Sequence, residues 1–364
     1  MAVRADHYGL EMEHVLIRVV GARSAEVSGR HDGDRLLVGE DDLDVVTGWH
    51  LEPQGACRGD RCVPIRDRAS IVADGWVDLV ALATLVGLPL AVEAAAGLVA
   101  VGHPSAERAE ALSSLAAPDV RLPTVGGGDA SVHDLHGRKR LLLAFSSWCG
   151  CRYDLPAWQR IHEQWNDRGF SIVAVAVDES ADDVRPWVDE AGATFPVLVD
   201  ADHELVDAYA IRNVPTVVWI DEDDRIVRPN AAEFGDDQFV DFHGHPSGPH
   251  LDALERWVVD GEAPTGGDDE VRAGQLLPDA DQQQARAEYR LAVELWRAGE
   301  GEAAERHFEE AGRLAPHDFT IRRGSMPLRG LDPFGDPFFE LYEEWEAAGR
   351  PYYTEPEGSG ADAG

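Results

Sequence analysis

Two cysteines separated by one glycine, Cys149 and Cys151, are the residues best suited to chemistry in this 364-residue chain. An apolar, strand-like run ends just before them and a helical pattern begins just after them. A helix N-terminus presents free N–H groups and partial positive charge, which favour a thiolate. A second cysteine nearby can resolve a mixed disulfide. The pair therefore predicts thiol-disulfide exchange, and two buried structural cysteines are the alternative.

The elements that must position this pair alternate regularly between strand and helix. Such alternation indicates a layered α/β domain. The predicted strands cover 141–145, 171–177, 196–199 and 214–220, and the predicted helices cover 155–165, 181–191 and 204–210. An acidic turn within 219–227 predicts a hairpin that adds an antiparallel edge strand, and a helix over 251–259 closes the domain.

Four segments of this domain resemble the redoxin/TlpA-type thioredoxin-fold thiol-disulfide oxidoreductases. They are 117–123, 135–140, 141–156 with its Trp-Cys-Gly-Cys-Arg sequence, and 213–216, which is similar to the cis-proline loop of that family. The resemblance implies a thioredoxin-like fold over 115–262, with a central mixed sheet flanked by helices. It also implies that Pro215 follows a cis peptide bond and faces the cysteines; an ordinary proline at a strand start is the alternative.

The resemblance also assigns roles to the two cysteines. The first cysteine of the family is the exposed one, so Cys149 is the candidate nucleophile and Cys151 the resolving thiol. The family usually has two residues between its cysteines, whereas this chain has one, and with the shorter loop the roles could be exchanged. A smaller disulfide ring is more strained and more oxidising, which favours exchange or isomerisation over strong reduction.

Four further residues are expected to support the pair. The exposed backbone of Val214 would pair with an extended substrate, and Thr216 completes the proline loop. Trp148 covers the sulfurs or belongs to the core. Arg152 favours the thiolate by its charge, or is a surface arginine. The strand 141–145 carries no acidic residue, so acid-base help would come from Asp154 or water.

Two alternative functions remain open at this point. The same fold and the opening Ala117-Pro118 also occur in peroxiredoxins, but their threonine is replaced here by Ser146, three residues before Cys149. The other alternative is a redox-silent scaffold that recruits a partner. Exchange itself would require a protein or small-molecule disulfide substrate and a reducing partner such as a thioredoxin or a low-molecular-weight thiol. It would require no bound organic cofactor.

Cysteines and histidines outside the pair carry weaker signals. Cys57 and Cys62 suit structural or free cysteines, a small disulfide-closed turn, half a metal site, or a second redox pair that exchanges electrons with the first. No second ligand pair with zinc spacing accompanies them. His243, His245 and His250 favour a polar loop over a metal site. We therefore expect no metal.

Changes in composition and hydrophobic pattern along the sequence divide the chain into five predicted parts. They are an N-terminal α/β accessory domain at 1–114, the thioredoxin-like redoxin domain at 115–262, a linker at 263–280, a helical region at 281–352 and a disordered acidic tail at 353–364. The helical region looks like one tetratricopeptide repeat, with helices over 285–298 and 302–314. A single repeat cannot bury its own face, so it must pack on a neighbour. This region is predicted either to bind a peptide or to serve as a helical lid or dimer contact.

Composition excludes several functional classes. A net charge of −36 repels phosphate backbones and anionic membrane surfaces, so we expect neither nucleic acid nor membrane as a partner. The longest apolar stretch, 79–101, is interrupted by Pro89 and Glu93, and predicts a short buried helix and a strand pair rather than a membrane span. The first residues do not resemble an export signal, which predicts a cytoplasmic location. Lys139 is the only lysine among 32 basic residues, and this acidic, lysine-poor composition suits a halophilic cytoplasm.

Overall fold

The computed structural model describes residues 13–32 and 35–350. The chain forms two compact units. The first unit combines Met1–Pro104 with Ala280–Leu314, and the second combines Ser105–Asp279 with Ala315–Gly364. The predicted helical region 281–352 is therefore shared between the two units. The predicted tail 353–364 lies outside the described residues.

The first unit contains ten strands. They are β1 (Glu13–Gly21), β2 (Ala25–Asp32), β3 (Arg35–Gly39), β4 (His50–Glu52), β5 (Gly55–Arg58), β6 (Arg61–Val63), β7 (Val72–Ala73), β8 (Trp76–Asp78), β9 (Leu90–Glu93) and β10 (Leu98–Val101), all within the described residues. Seven of them form a sheet in the order β7-β8-β3-β2-β1-β10-β9, in which only β1 and β10 pair in parallel. The short strands β4, β5 and β6 form a separate antiparallel sheet. The helices are α1 (Leu43–Thr47), α2 (Leu79–Val86), α10 (Ala280–Arg297) and α11 (Gly301–Leu314).

The apolar stretch 79–101 has the predicted structure. The carboxylate of Asp78 accepts the N–H groups of Val80 and Ala81 and so begins α2, and Gly87, with φ of 68°, ends it. Strands β9 and β10 then pair antiparallel. Within the described ranges, no helix combines the length and apolar composition of a bilayer span.

The strands of the second unit are β11 (Leu122–Pro123), β12 (Asp129–Ala130), β13 (Lys139–Phe145), β14 (Phe170–Ala176), β15 (Val197–Val199), β16 (Thr216–Ile220) and β17 (Ile226–Ala231). Five of them form a mixed sheet in the order β15-β14-β13-β16-β17. Strands β13, β14 and β15 are parallel, and β16 and β17 add antiparallel neighbours. Strands β13 and β14 are buried almost throughout, as expected for a sheet covered on both faces. This is the predicted thioredoxin-like fold.

Nine helices of the second unit lie within its described residues. They are α3 (Ser105–Ser113), α4 (Leu155–Trp165), α5 (Ala181–Ala191), α6 (Glu204–Ala208), α7 (Val240–His243), α8 (Gly248–Glu255), α9 (Asp268–Gly274), α12 (Phe319–Arg322) and α13 (Asp336–Ala347). The bounds of α4 and α5 match the prediction residue for residue. The helix predicted at 251–259 begins earlier, as α8, and ends in a π-helical turn over Arg256–Asp260.

The predicted linker 263–280 is not wholly irregular. It contains α9, which packs against β17, and Val271 on this helix is buried in the core of the unit. Most side chains of this segment face solvent, and its composition is accordingly polar and glycine-rich. One buried valine does not produce a helical hydrophobic pattern, so the sequence alone did not reveal α9.

Candidate functional site

Cys149 and Cys151 lie where the chain leaves β13 and enters α4. Cys149 has an extended backbone and caps the 3-10 turn Gly150–Asp154, and its Sγ accepts the backbone N–H of Cys151 at 3.3 Å. Both cysteines are free thiols in this structure. Both are also buried, with 5% and 6% of their surfaces exposed. The expectation of an exposed Cys149 is therefore wrong for this arrangement.

The two thiols have opposite pKa shifts. Burial raises the pKa of Cys149, but the Cys151 thiol and N–H and the charges of Arg323 and Arg152 outweigh burial and lower the pKa to about 7. Burial, and then the hydrogen bond and charge of Cys149, raise the pKa of Cys151 well above its usual value. Cys149 is therefore the thiol that ionises first.

The proline loop lies directly against the nucleophile. The Val214–Pro215 peptide bond is cis, and the Cys149 thiol donates a hydrogen bond to the Val214 carbonyl at 3.4 Å. The Thr216 hydroxyl donates to the Asn213 carbonyl at 2.7 Å and closes the loop. Val214 is only 3% exposed, so its predicted open backbone is not found here. Val214 lines the cavity described below.

Trp148 and Arg152 are both held in place by their neighbours. The Trp148 indole N–H donates to the Val177 carbonyl at 2.9 Å, at the end of β14, and the ring is buried beside the cysteines. The Arg152 guanidinium donates to the Ser147 carbonyl and lies 4.1 Å from the centre of the Trp187 ring. Trp148 therefore belongs to the core, and the charge of Arg152 favours the Cys149 thiolate.

Arg323 is a site residue that sequence reasoning missed. Its guanidinium lies 3.7 Å from the centre of the Phe338 ring and 5.9 Å from that of Trp148, and its Nε donates to the Pro333 carbonyl at 3.0 Å. The residue is 7% exposed, and its charge lowers the pKa of Cys149. No spacing rule connects this arginine to a cysteine pair so far away in the sequence; its only local signal is that it is a charged residue within an aromatic-rich stretch.

A cavity of about 280 Å³ opens onto the two thiols. One wall consists of the cysteines and the proline loop, and the other walls are largely aromatic. The aromatic residues come from two segments, which contribute Phe234, Phe239 and Phe242 on one side and Phe319, Phe334, Phe338, Phe339, Tyr342 and Trp345 on the other. The thiols therefore lie in mainly apolar surroundings.

Two buried carboxyl groups stabilise the loops around the pair. Burial raises the pKa of Asp154 to about 7, and its carboxyl oxygens accept the backbone N–H groups of Gly235 at 2.6 Å and Asp236 at 3.1 Å. Burial likewise raises the pKa of Asp178 to about 6, and its carboxyl accepts the backbone N–H of Ser147 at 3.1 Å. Asp154, predicted as an acid-base group, thus connects the start of α4 to the loop at 235–236.

Ser146, which occupies the position of the peroxiredoxin threonine, is directed toward β14. Its hydroxyl donates to the Val177 carbonyl at 3.2 Å and accepts the backbone N–H of Trp148 at 3.4 Å. The hydroxyl therefore connects two backbone segments beneath the motif.

Cys57 and Cys62 form a disulfide between two neighbouring strands. The two residues are register partners on β5 and β6, and the Gln54 side-chain amide lies 3.7 Å from the Cys57 sulfur. Among the predicted alternatives, the structure therefore has the disulfide-closed turn rather than free thiols. A role as a second redox pair stays a prediction.

The rings of His243, His245 and His250 all contact neighbouring groups. The His243 ring stacks on Phe234 with 3.6 Å between ring centres, and the ring of His250 shares a hydrogen bond of 2.6 Å with the Phe234 carbonyl. Burial, and then the charge of His245, lower the pKa of His243 to about 4. Over residues 13–32 and 35–350 the structure shows no group of three or more His, Cys, Asp or Glu arranged to hold a metal ion.

Comparison with known proteins supports a thioredoxin-like family for this part of the chain. Residues 114–228 match the model of the AhpC/TSA family. The chain is 26% identical to thiol-disulfide oxidoreductase ResA of Halalkalibacterium halodurans over 38% of its own length and 78% of that protein. It is 34% identical to the thioredoxin-like protein YneN of Bacillus subtilis over 29% of its own length and 64% of that protein.

Solved structures also resemble part of the chain. A thioredoxin-family thiol:disulfide interchange protein from Chlorobium tepidum is 30% identical, with a TM-score of 0.29, over 30% of this chain and 81% of that one. The family model covers residues 114–228, in the middle of the chain.

Proposed function

We propose that this chain is a thiol-disulfide oxidoreductase that uses Cys149 as nucleophile and Cys151 as resolving thiol. The observation that carries the proposal is the geometry of the pair: the Cys149 sulfur lies 3.3 Å from the Cys151 backbone nitrogen and 3.4 Å from the carbonyl oxygen of the cis Val214–Pro215 bond. In this setting the pKa of Cys149 is lowered and that of Cys151 is raised. A thiolate is the attacking species in disulfide exchange. The names of the matched relatives, thiol-disulfide oxidoreductase and thioredoxin-like protein, support the same reaction.

The exchange proceeds in two steps. The Cys149 thiolate attacks one sulfur of a substrate disulfide, a mixed disulfide forms, and the other substrate sulfur leaves as a thiolate that takes up a proton. Cys151 then loses its proton, attacks the Cys149 sulfur and releases the second substrate thiol. The products are the Cys149–Cys151 disulfide and two substrate thiols, and a thioredoxin or a low-molecular-weight thiol returns the pair to the reduced state.

The charge of Cys149 explains why the attack by Cys151 follows formation of the mixed disulfide. In the resting site the hydrogen bond and negative charge of Cys149 raise the pKa of Cys151. Once Cys149 is part of a mixed disulfide it carries no charge, so this contribution disappears and Cys151 ionises more easily. Attack by Cys151 is therefore activated by formation of the intermediate that it resolves.

Differential alkylation with mass spectrometry across a glutathione redox series tests the proposal. We expect a reversible two-electron transition that joins Cys149 to Cys151, and its midpoint distinguishes a reductant from an isomerase or oxidant. If both residues stay thiols at every potential, the disulfide mechanism is wrong.

Single variants separate the two roles. We expect Cys151→Ser to accumulate a mixed disulfide with substrate, because the resolving thiol is missing, and Cys149→Ser to form none. Full function of Cys149→Ser would instead favour the redox-silent scaffold. Consumption of hydrogen peroxide by Cys151→Ser at the wild-type rate would favour the peroxidase.

A further inference from the structure

The segment 319–345 closes one side of the thiol site and is firmly attached there. The Phe319 N–H donates to the Arg212 carbonyl at 2.8 Å, immediately before the proline loop. A Cβ on Gly324 would lie 2.1 Å from the Thr320 carbonyl oxygen and 3.4 Å from the Trp148 ring, so the backbone approaches both closely. Phe319, Met326, Phe338, Leu341 and Trp345 form an apolar cluster of their own. The segment is therefore a packed wall of the site.

This wall restricts what can reach the sulfurs. Cys149 and Cys151 are nearly fully buried, and Val214, beside the nucleophile, is buried as well. Both thiols line the cavity, so a disulfide must enter it to reach the Cys149 sulfur. A small disulfide enters such a cavity more easily than one held in the backbone of a folded protein.

The size and chemistry of the cavity indicate what enters. At about 280 Å³ it lies just below the range of about 300 to 1,000 Å³ that is typical of small-molecule sites. Its lining is mainly aromatic, with His243, His245 and Arg323 as polar members, and it favours apolar groups. The Arg323 guanidinium already lies against the Phe338 ring and the Pro333 carbonyl, and burying a further charged group costs free energy unless that charge is paired. The net charge of −36 also disfavours the approach of anions such as glutathione disulfide.

We infer that the substrate of the Cys149–Cys151 pair is a low-molecular-weight disulfide with apolar substituents, which binds in the cavity between the proline loop and the segment 319–345. The inference rests on the proposed function and adds the substrate class. One reduction consumes the two enzyme thiols and one substrate disulfide and yields the enzyme disulfide and two small thiols, and dithiothreitol regenerates the enzyme dithiol in the assay.

Matched substrates test the inference. Dithiodipyridine and hydroxyethyl disulfide are both small and neutral, but only the former is aromatic; insulin supplies a protein disulfide. Each rate with the reduced full-length chain is divided by the rate with free dithiothreitol, which removes differences in intrinsic reactivity. We expect kcat/KM normalised in this way to favour dithiodipyridine over the other two by about 10-fold or more.

Two variants in the cavity wall and one outside it link this preference to the aromatic lining. Phe338→Ala removes a buried ring, and Phe242→Ala removes a ring that is 52% exposed, so the second change does not disturb the core. We expect each to lower normalised kcat/KM for dithiodipyridine by about 10-fold and to leave hydroxyethyl disulfide nearly unchanged. Leu331→Ala, in the same segment but exposed and outside the cavity lining, is the control and should preserve the preference.

The outcomes separate the inference from the proposed function. Equal normalised rates for all three disulfides would overturn the inference and leave the oxidoreductase proposal standing. Faster reduction of insulin would also overturn it, because a protein disulfide would then be the better substrate. No reaction with any of the three would overturn both.

Discussion

The Cys149 sulfur lies 3.4 Å from the Val214 carbonyl oxygen and 3.3 Å from the Cys151 backbone nitrogen. The first contact suits the protonated thiol, which donates to the carbonyl, and the second suits the thiolate, which accepts from the N–H. The residue therefore has a hydrogen-bond partner in either state. Proton loss exchanges one interaction for another rather than leaving a buried charge without a partner.

The rate of alkylation as a function of pH should report the ionisation of the Cys149 thiol. Because the pKa of Cys149 is about 7 and that of Cys151 is raised well above its usual value, we expect the rate of Cys149 modification by iodoacetamide to rise through pH 7 and level off near pH 8. Cys151 should react much more slowly over the same range. Mass spectrometry of each modified peptide measures both. A Cys149 profile that keeps rising to pH 9 would contradict the lowered pKa.

Arg323 should control the acidity of Cys149 from its position in the cavity wall. We expect Arg323→Met to raise the pKa of Cys149 and to slow its alkylation at pH 7 several-fold, because a positive charge near the thiolate is lost. Arg322→Met is a matched control, since that neighbouring side chain pairs with Glu344 and does not line the cavity. Equal effects of the two substitutions would show that Arg323 acts only through folding.

Asp154 should make the protein less stable as the pH rises. Its pKa is about 7 when folded, against a usual value of 3.8, so the folded chain retains a proton that the unfolded chain releases. The stabilisation is complete below about pH 4 and is lost as the pH rises toward and through 7. We expect Asp154→Asn, which cannot ionise, to show a loss of unfolding free energy between pH 5 and 8 that is smaller than the wild-type loss by roughly 2 to 3 kcal/mol.

Urea unfolding at both pH values measures the Asp154 effect. Asp252→Asn is the control, because Asp252 is exposed on α8. Parallel pH dependence in wild type and Asp154→Asn would contradict the raised pKa.

The Cys57–Cys62 disulfide should contribute to stability through its short loop. Removing it in Cys57→Ser, Cys62→Ser is expected to lower the free energy of unfolding by about 2 kcal/mol, since the unfolded chain gains conformational freedom. The hypothesis of a second redox pair requires in addition that turnover falls in this variant. Unchanged turnover in a folded double variant would exclude that hypothesis and leave the disulfide structural.

Salt should stabilise the folded chain. With 68 acidic and 32 basic residues, self-repulsion is strong at low ionic strength and is screened as salt is added. We expect the melting temperature to rise steadily when KCl is increased from about 0.1 M, where the Debye length is about 10 Å, to above about 1 M, where it is about 3 Å. A melting temperature indifferent to KCl would remove the prediction of a halophilic protein.

Local sequence patterns were sufficient for the elements that carry the motif. Helix α4 begins where predicted because Pro156 occupies its first turn, and α5 ends where predicted because Gly192, with φ of 62°, stops it. The Cys-Gly-Cys spacing, the strand before it and the helix after it are contiguous in sequence. The elements on either side of the pair could therefore be predicted from neighbouring residues, whereas the thioredoxin-like fold was predicted from the resemblance of four segments between residues 117 and 216.

Tertiary structure alone decided what surrounds the thiols. Arg323 and Phe338 reach the cavity from a segment far beyond β17 in the chain, and the predicted helical region 281–352 divides between two compact units. The burial of Val214 and the raised pKa of Asp154 depend on such contacts. Periodicity and capping act over one or two turns of the chain, whereas burial and electrostatic environment depend on residues brought together from distant positions, so no spacing in the sequence records them.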